Sequence, residues 1–274
     1  MLRKKKNRIG IVGCGAIGSY LAKEIDANFG DKANLCGLFD ISLDKAYALS
    51  SALGKKKIAA ISLEDLVKRC DLVIEAASAS VVREVVKSSI LAKKDCLVMS
   101  VGGLIDSKAL FEQARARGCR IYIPSGAIAG IDAIKAASLS KIEKIILTTR
   151  KPPSAFIGVA YVLKRNINLE HIETETSIFE GDVDTALRLF PQNINVAATL
   201  SLASRDKKKI TVRIITSPEY KNNIHEIEIF AESGKIFTRT ENVAFADNPK
   251  TSFLAALSAV AALKNILEAV KVGT

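Results

Sequence analysis

The sequence contains no tryptophan and no apolar run long enough to cross a bilayer. Its most apolar stretch, Phe253–Leu263, is shorter than the roughly 18 residues of a membrane span and predicts a packed core helix. The apolar stretch after the basic amino terminus breaks at Gly13, which is too early for a secretory signal. We therefore expect a soluble, cytoplasmic protein with no membrane partner.

Patterns that bind metal or form disulfides are also lacking. The five cysteines stand singly, without a C-x-x-C pair or a histidine at ligand spacing, so neither a metal site nor a disulfide framework is predicted. Cys14, Cys36 and Cys96 lie in or beside apolar runs. We interpret them as small core residues in a reducing compartment.

Basic clusters interleaved with aromatic residues are missing too, although the formal net charge is +11. Basic faces bind nucleic-acid phosphates, but here the lysines are dispersed and their short clusters carry no aromatic side chains on which bases could stack. We interpret the charge as a solvated surface that also draws anionic small molecules toward a cleft. No nucleic-acid partner is expected.

The first half of the chain alternates short β-like runs with helical stretches, which is typical of a parallel sheet with helices on both faces. Five strands at this spacing predict an α/β fold with a doubly wound Rossmann domain. The predicted strands are Arg8–Val12, Asn34–Phe39, Leu72–Glu75, Cys96–Ser100 and Arg120–Ile123. The predicted helices are Ile17–Asn28, Ser42–Ala52, Leu63–Arg69, Val81–Ala92 and Ser107–Arg117.

The pattern changes beyond the loop Pro124–Gly130. β-like runs such as Ile210–Thr216 and Ile224–Phe230 alternate in polarity, which predicts a second, α+β domain with a mixed or antiparallel sheet. Ser233-Gly234 predicts a hairpin turn after the second of these runs. Helices are predicted at Thr185–Phe190 and Ile194–Ala203.

One long helix is predicted to close the chain, with Asn248 as its N-cap, Pro249 as its first residue and Val270 near its end. We expect this helix to return and pack on the first domain. The predicted boundaries are therefore 1–123 with 248–274 for the Rossmann domain. Residues 124–247 would form the second domain, which would hold the substrate and the oligomer interface.

The hexapeptide GCGAIG at residues 13–18 has the G-x-G-x-x-G pattern of a dinucleotide-binding loop. The bare pattern is weak, but here it follows a β-like run and opens a helix, as the fingerprint requires. Gly13 would permit the tight turn, Gly15 the approach of a pyrophosphate, and Gly18 the close packing of helix and strand. Free N–H groups near Ala16 and Ile17 would hold the diphosphate of NAD or NADP.

Asp40 ends the second predicted strand, where a carboxylate can accept both ribose hydroxyls of the adenosine half. Because Asp40 would repel a 2′-phosphate, NAD(H) is favoured, while nearby Lys45 leaves NADP(H) use open. The alternative is that Asp40 caps the helix that starts at Ser42. Small residues after the third strand would leave room for the adenine; these cofactor-binding candidates are Ala76, Ala77 and Ser78.

Three later segments each place a loop directly before a predicted helix, which supplies unpaired N–H groups for carboxylates. They are Pro124–Gly130, Phe190–Ala197 and Asn248–Ser252. Asn193, in the second segment, could equally cap the helix or contact a ligand. In the third segment we expect Asn248, Thr251 and Ser252 to help hold an acidic substrate.

These segments, taken in order with Glu180-Gly181 and Ile224-His225-Glu226, resemble the L-aspartate dehydrogenase family over nearly the whole chain. The resemblance implies oxidation of L-aspartate to iminoaspartate with NAD(P)+, after which the imine yields oxaloacetate and ammonia or feeds NAD biosynthesis. It also implies cofactor contacts at Ala127 and Asn193 and an active-site histidine at His225. We expect a homo-oligomer, a dimer.

Strand alternation places His225 on the same face as Ile227 and Ile229, pointing inward. An inward histidine is more often a core residue than a catalyst. The implied reaction, however, requires a base that takes a proton from the substrate ammonium and later from an attacking water, and imidazole suits both steps. We favour His225 as the general base and His171 as a bystander.

Two alternatives remain at this point. A related two-domain reductase, such as dihydrodipicolinate reductase or homoserine dehydrogenase, would share the architecture, but the former would be expected to show adjacent histidines, and His171 and His225 are far apart. A non-catalytic NAD-binding regulator would need no titratable group at the nicotinamide.

Overall fold

The computed structural model describes residues 6–55, 57–190, 194–245 and 248–273. The described residues form two compact units. Met1–Pro124 and Ala256–Val272 belong to the first, and Ser125–Ala255 and Gly273–Thr274 belong to the second.

The first unit contains a parallel five-stranded sheet in the order β2-β1-β3-β4-β5. The chain moves outward from β1 to β2 and then crosses to β3, so the strand order reverses beside β1. This arrangement confirms the predicted Rossmann architecture. The strands are β1 (Asn7–Val12), β2 (Ala33–Phe39), β3 (Leu72–Glu75), β4 (Asp95–Val98) and β5 (Ile121–Tyr122), and the helices are α1 (Ala16–Asn28), α2 (Leu43–Ala52), α3 (Leu63–Arg69), α4 (Val82–Leu91) and α5 (Lys108–Ala116).

Both faces of this sheet are buried, because helices cover a parallel sheet on each side. Ile9 and Ile11 of β1 join one apolar cluster with α1, and that cluster also contains Ala259 and Leu263 of the closing helix. Val73 of β3 joins the other cluster with α3 and α4. The strands are therefore nearly continuous apolar runs, and polar side chains gather at their carboxyl ends.

The second unit is built on a mixed five-stranded sheet in the order β10-β9-β6-β8-β7. β6 and β8 are parallel, and the other neighbours are antiparallel. The strands are β6 (Ile142–Lys151), β7 (Thr176–Asp182), β8 (Ile210–Thr216), β9 (Asn223–Ala231) and β10 (Gly234–Asn242), with the short strands β11 (Ala244–Phe245) and β12 (Asn248–Ser252) as a separate pair. The helices are α6 (Ile131–Ala137), α7 (Ala160–Lys164), α8 (Val183–Leu189) and α9 (Ile194–Ser204), followed by α10 (Phe253–Leu267).

The inner face of this sheet changes from apolar to polar along the strands. At one end, Ile145 of β6 lies opposite Ile210 of β8 and Ile229 of β9, and all three belong to the core of the second unit. Four residues farther along β6, Thr149 lies opposite His225. The side chains that can bind a ligand or transfer a proton therefore lie at the polar end of this face.

The closing helix begins later than the sequence predicts. The prediction that Asn248 caps the helix and Pro249 opens it is wrong, because Asn248–Ser252 form β12 and α10 begins at Phe253. β12 pairs with β11, and the Phe253 N–H donates to the carbonyl of Val243 at 3.0 Å. Backbone pairing with the short strand directly before it replaces the helix-cap geometry at this point.

Smaller differences have similar local causes. The predicted hairpin is present, but its two-residue turn is Glu232-Ser233, one position earlier, and Gly234 opens β10 with a positive φ. α8 begins before the predicted Thr185 because the Asp182 carboxylate caps it, accepting from the Thr185 N–H at 2.9 Å. The short helices α6 and α7 were not predicted.

Candidate active site

The glycine-rich loop joins β1 to α1, and each of its glycines meets a different steric environment. An added Cβ on Gly13, where φ is +95°, would lie 2.6 Å from the carbonyl oxygen of Ala76. On Gly18 it would lie 1.8 Å from the carbonyl oxygen of Gly13. On Gly15 it would meet nothing within 4 Å. Gly13 and Gly18 are therefore needed by the fold, whereas Gly15 borders open space.

That open space lies at the start of α1. α1 begins at Ala16 without a side-chain cap or an acidic residue in its first turn, so the amides of Ala16 and Ile17 lie at a helix start that favours anions. The loop borders a cavity of about 540 Å³. Its lining includes Gly13, Gly15, Asp40, Ala76, Ala77 and Ser78. The structure thus brings most of the predicted cofactor-binding residues of this unit around one cavity.

Asp40 holds the loop in shape. One of its carboxylate oxygens accepts from the N–H of Cys14 at 2.8 Å, and the other accepts from the N–H of Ser42 at 2.9 Å. The second bond is a turn that leads into α2, whose N-cap is Ser42, and Asp40 does not itself cap that helix. A carboxylate oxygen can accept more than one hydrogen bond, so both oxygens retain acceptor capacity for a ribose. Lys45 lines the same cavity.

Glu75 is the buried carboxylate that fixes the neighbouring loops. It is fully buried at the end of β3 and accepts from the N–H of Ala77 at 2.8 Å. It also accepts from the N–H and the hydroxyl of Ser100, at 3.0 and 2.8 Å. Burial raises the pKa of Glu75. Its bonds tie the loop after β3 to the loop after β4, a role that the sequence did not indicate.

His225 lies in the second unit, on β9, and points inward as strand alternation predicts. Only 6% of the residue is exposed, and its Nδ1 lies 3.0 Å from the hydroxyl oxygen of Thr149. Burial, assisted by the positive charge of Lys151, lowers the pKa of His225 to about 3. The imidazole is therefore neutral throughout the physiological pH range. Thr149 fixes the ring orientation.

Lys151, the last residue of β6, was missed by the sequence reasoning. It is two residues beyond Thr149 and therefore on the same face of the strand, and only 8% of it is exposed. Burial lowers its pKa to about 8. Extending the alternation from Ile145 and Leu147 to the end of β6 would have placed this lysine inward.

The predicted loop Pro124–Gly130 is fastened to β10. The carbonyl of Ala127 accepts from the Thr240 hydroxyl at 2.8 Å and from the Asn242 amide at 3.0 Å. The Asn242 side-chain oxygen in turn accepts from the Ser252 hydroxyl at 2.8 Å. Asn242, which the sequence reasoning did not single out, thus joins two of the three predicted segments.

The structure says less about the roles of the remaining predicted residues. Asn193 lies outside the described residues, and Asn248 and Thr251 belong to β12 rather than to a helix start. His171 is exposed, with its Nδ1 3.4 Å from the Asn168 amide nitrogen. Within the described ranges, no cluster of three or more histidine, cysteine or acidic residues could hold a metal ion. The described helices are also too short or too polar to span a membrane.

Comparison with known proteins finds two family matches. The model of the aspartate dehydrogenase C-terminal domain matches residues 132–266, and the model of the homoserine dehydrogenase NAD-binding domain matches residues 13–124. L-Aspartate dehydrogenase of Methanosarcina mazei is 44% identical over 97% of this chain and 99% of its own length. The enzyme of that name from Methanocaldococcus jannaschii is 43% identical with the same coverage of each chain.

Solved structures share the fold. Aspartate dehydrogenase from Thermotoga maritima superposes with a TM-score of 0.74 at 23% identity, covering 98% of this chain and 100% of that one. A homoserine dehydrogenase from Thiobacillus denitrificans gives a TM-score of 0.64 at 14% identity, covering 96% of this chain and 73% of that one.

Proposed function

The chain belongs to the L-aspartate dehydrogenase family, and from this membership we propose that it oxidises L-aspartate with NAD+ or NADP+. The family resemblance inferred from the sequence is confirmed. The products of the redox step are iminoaspartate, NAD(P)H and a proton. Water then converts the imine to oxaloacetate and ammonia, or the imine is passed to NAD biosynthesis.

The observation that carries this proposal is the neutral, inward imidazole of His225 at the polar end of the sheet in the second unit. Amino-acid oxidation needs a base because hydride leaves the α-carbon readily only after the substrate ammonium has lost a proton. A regulator that only senses a dinucleotide has no use for a buried titratable group held by Thr149. The geometry therefore favours an enzyme.

We assign the cofactor to the cavity of the first unit. The amides of Ala16 and Ile17 would bind the diphosphate above Gly15, Asp40 would accept from the ribose, and Ala76–Ser78 would border the adenine. When bound, the nicotinamide accepts a hydride from the substrate α-carbon. Family membership also suggests cofactor contacts at Ala127 and Asn193.

In the second unit, His225 acts as the general base. In the tautomer in which the Nδ1–H donates to the Thr149 hydroxyl oxygen, Nε2 is the nitrogen that takes the proton from the substrate. In the free enzyme, the low pKa of His225 keeps its ring unprotonated. Binding of an anionic substrate raises that pKa, because an opposite charge favours the protonated ring. The base is thus strengthened when substrate is present.

The test is a panel of amino and hydroxy acids with NAD+ or NADP+, followed by nicotinamide absorbance. L-Aspartate should be oxidised at least 10²-fold more efficiently than L-homoserine, L-alanine or L-glutamate, because a hydrogen-bonding site rejects substrates that leave its groups unpaired. Preferred turnover of homoserine would replace the proposal with a homoserine dehydrogenase. Tight dinucleotide binding without any turnover would indicate a regulator.

We further propose that the protein is a homodimer in the cytoplasm. The five cysteines are free, which suits a reducing compartment. β10 is an edge strand and carries the exposed Phe237, a feature that suits contact with a second copy. Light scattering of the purified protein should give twice the 29.5 kDa chain mass.

A further inference from the structure

Among the residues that the structure describes, one cationic side chain lies at the polar end of the inner face in the second unit. Lys151 ends β6, Thr216 lies opposite it on β8, and His225 of β9 lies opposite Thr149, two residues before Lys151. The Thr216 hydroxyl donates to the Lys151 backbone carbonyl at 2.9 Å, so it does not neutralise the ammonium. Among the described strand residues, the other arginine and lysine side chains alternate to the outer face or lie at its rim.

The acidic residues nearest to Lys151 on the paired strands form ion pairs with arginines instead. Arg150, on the outer face of β6, pairs with Glu226 and with Glu175. Glu226 also pairs with Arg239 of β10. Within the described ranges, the structure gives Lys151 no ion pair, and no charged neighbour contributes to its lowered pKa. A buried lysine without a counter-ion is expensive to keep and is rare in structural roles.

We propose that Lys151 binds a carboxylate of the substrate, so that the ligand itself supplies the missing counter-ion. The inference rests on the proposed function and extends it, since the sequence left the cationic partner of the dicarboxylate unassigned. Lys151 is suited to this role because it shares a buried face with His225 and Thr149. A carboxylate bound by Lys151 would lie beside the base that must reach the substrate ammonium.

The same placement explains how two basic groups can coexist in one buried site. The charge of Lys151 helps to keep His225 unprotonated in the free enzyme. Once a carboxylate neutralises Lys151, that repulsion weakens and the imidazole becomes a better proton acceptor. Substrate binding and activation of the base are thereby linked through one lysine.

The experiment measures the binding of succinate, a four-carbon dicarboxylate that lacks the amino group and cannot react. Titration calorimetry is performed on the wild-type protein saturated with NADH and on Lys151→Met, Lys151→Arg and Lys144→Met. Lys144 is an exposed lysine on the same strand and is the matched control. Lys151→Met should weaken succinate binding by about 30-fold or more, as the loss of a buried charge partner does, and Lys144→Met should bind like the wild type.

Two further readouts separate substrate binding from a merely structural role. Wild-type affinity for succinate should fall above about pH 8, where Lys151 loses its proton, and this fall should be absent in Lys151→Arg. Lys151→Met should have an unchanged or higher Tm, because an unpaired buried charge is removed. His225 is the titratable group that faces Lys151, and its pKa of about 3 keeps it outside this pH range.

The possible failures are distinguishable. Wild-type protein that does not oxidise L-aspartate overturns the proposed function. If the wild type oxidises aspartate but Lys151→Met binds succinate as tightly as the wild type does, the assignment of Lys151 is wrong and the proposed function stands. Unfolding of Lys151→Met, together with a wild-type affinity for succinate that does not fall above about pH 8, would make the lysine structural.

Discussion

The two units treat buried charge in opposite ways. In the first, the buried Glu75 and the half-buried Asp40 accept from backbone amides and a hydroxyl, and these bonds fix loops around an open cavity. In the second, Lys151 is buried without an ion partner among the described residues, beside the neutral His225. A charge that is hydrogen-bonded within the protein fixes the loops around it. A buried charge without a partner favours the binding of a ligand of opposite charge. This difference is consistent with the proposed roles, cofactor binding by the first unit and substrate binding by the second.

The largest expected effect concerns the base. His225→Ala should lower kcat for aspartate oxidation by about 10² or more, because general base catalysis contributes at least this factor. NAD+ affinity should not change, since the cofactor loop belongs to the other unit. The exposed His171→Ala is the matched control and should retain wild-type kinetics. Normal turnover by His225→Ala, or inactivity explained by thermal unfolding, would make the residue structural.

The next effect concerns pH and stability. Lys151 has its pKa lowered to about 8 in the folded chain, while an unfolded lysine titrates near 10.5. The unfolded lysine binds more protons than the folded one between these values, so the stability of the wild type should rise relative to that of Lys151→Met across this window, by on the order of 3 kcal/mol. Lys151→Met should lack this rise in denaturant unfolding. A parallel pH dependence in both proteins would show that the lysine is not buried as a charge.

Glycine substitutions should divide the cofactor loop into two parts. Gly15→Ala should fold normally but weaken NAD+ binding by roughly 10- to 100-fold, because its Cβ enters the open space assigned to the pyrophosphate. Gly18→Ala should instead lower Tm, since its Cβ overlaps the Gly13 carbonyl. Fluorescence titration and thermal unfolding of both variants check this. Equal loss of stability in the two would remove the distinction.

The smallest effect concerns cofactor preference. Asp40→Ala should weaken NAD+ binding and shift the preference toward NADP+ by a few-fold, because an acceptor for the ribose and a source of repulsion for the 2′-phosphate are both lost. The shift is modest because Asp40 also holds Cys14 and Ser42 in place. The measurement is the ratio of the two KM values, and an unchanged ratio would restrict Asp40 to its loop-fixing role.

The two units also differ in how much of the candidate site can be predicted from the sequence. The phosphate loop, its strand and its helix lie within residues 7–28, so local periodicity and the glycine spacing are sufficient to place them. The substrate side is assembled from positions near 127, 149–151, 225 and 240–242, which only strand register brings together. His225 was found because the family resemblance implies an active-site histidine there, and alternation within one strand orients it inward. Lys151 was not found, because 40 lysines and arginines obscure a single inward one.

The closing helix illustrates the same limit. Asn248-Pro249 is a good local helix start, but the backbone there pairs with β11 instead. Backbone pairing with the neighbouring strand outweighs the helix-start propensity at this point. The helix-start argument for a substrate contact at Asn248 and Thr251 therefore loses its basis, and the Ser252 hydroxyl is bonded to Asn242.

The central claim is that a neutral imidazole at the polar end of the second unit meets an anionic substrate. Because the chain has two histidines, NMR of ¹³C-labelled histidine can follow His225 directly, with His171→Gln providing the assignment. In the free enzyme, the His225 resonance should keep its neutral position from pH 8 down to pH 5, since its pKa is about 3. Adding succinate to the NADH complex should move it and raise its pKa. A His225 resonance that titrates near neutrality without ligand, or that does not change when succinate is added, would contradict the account.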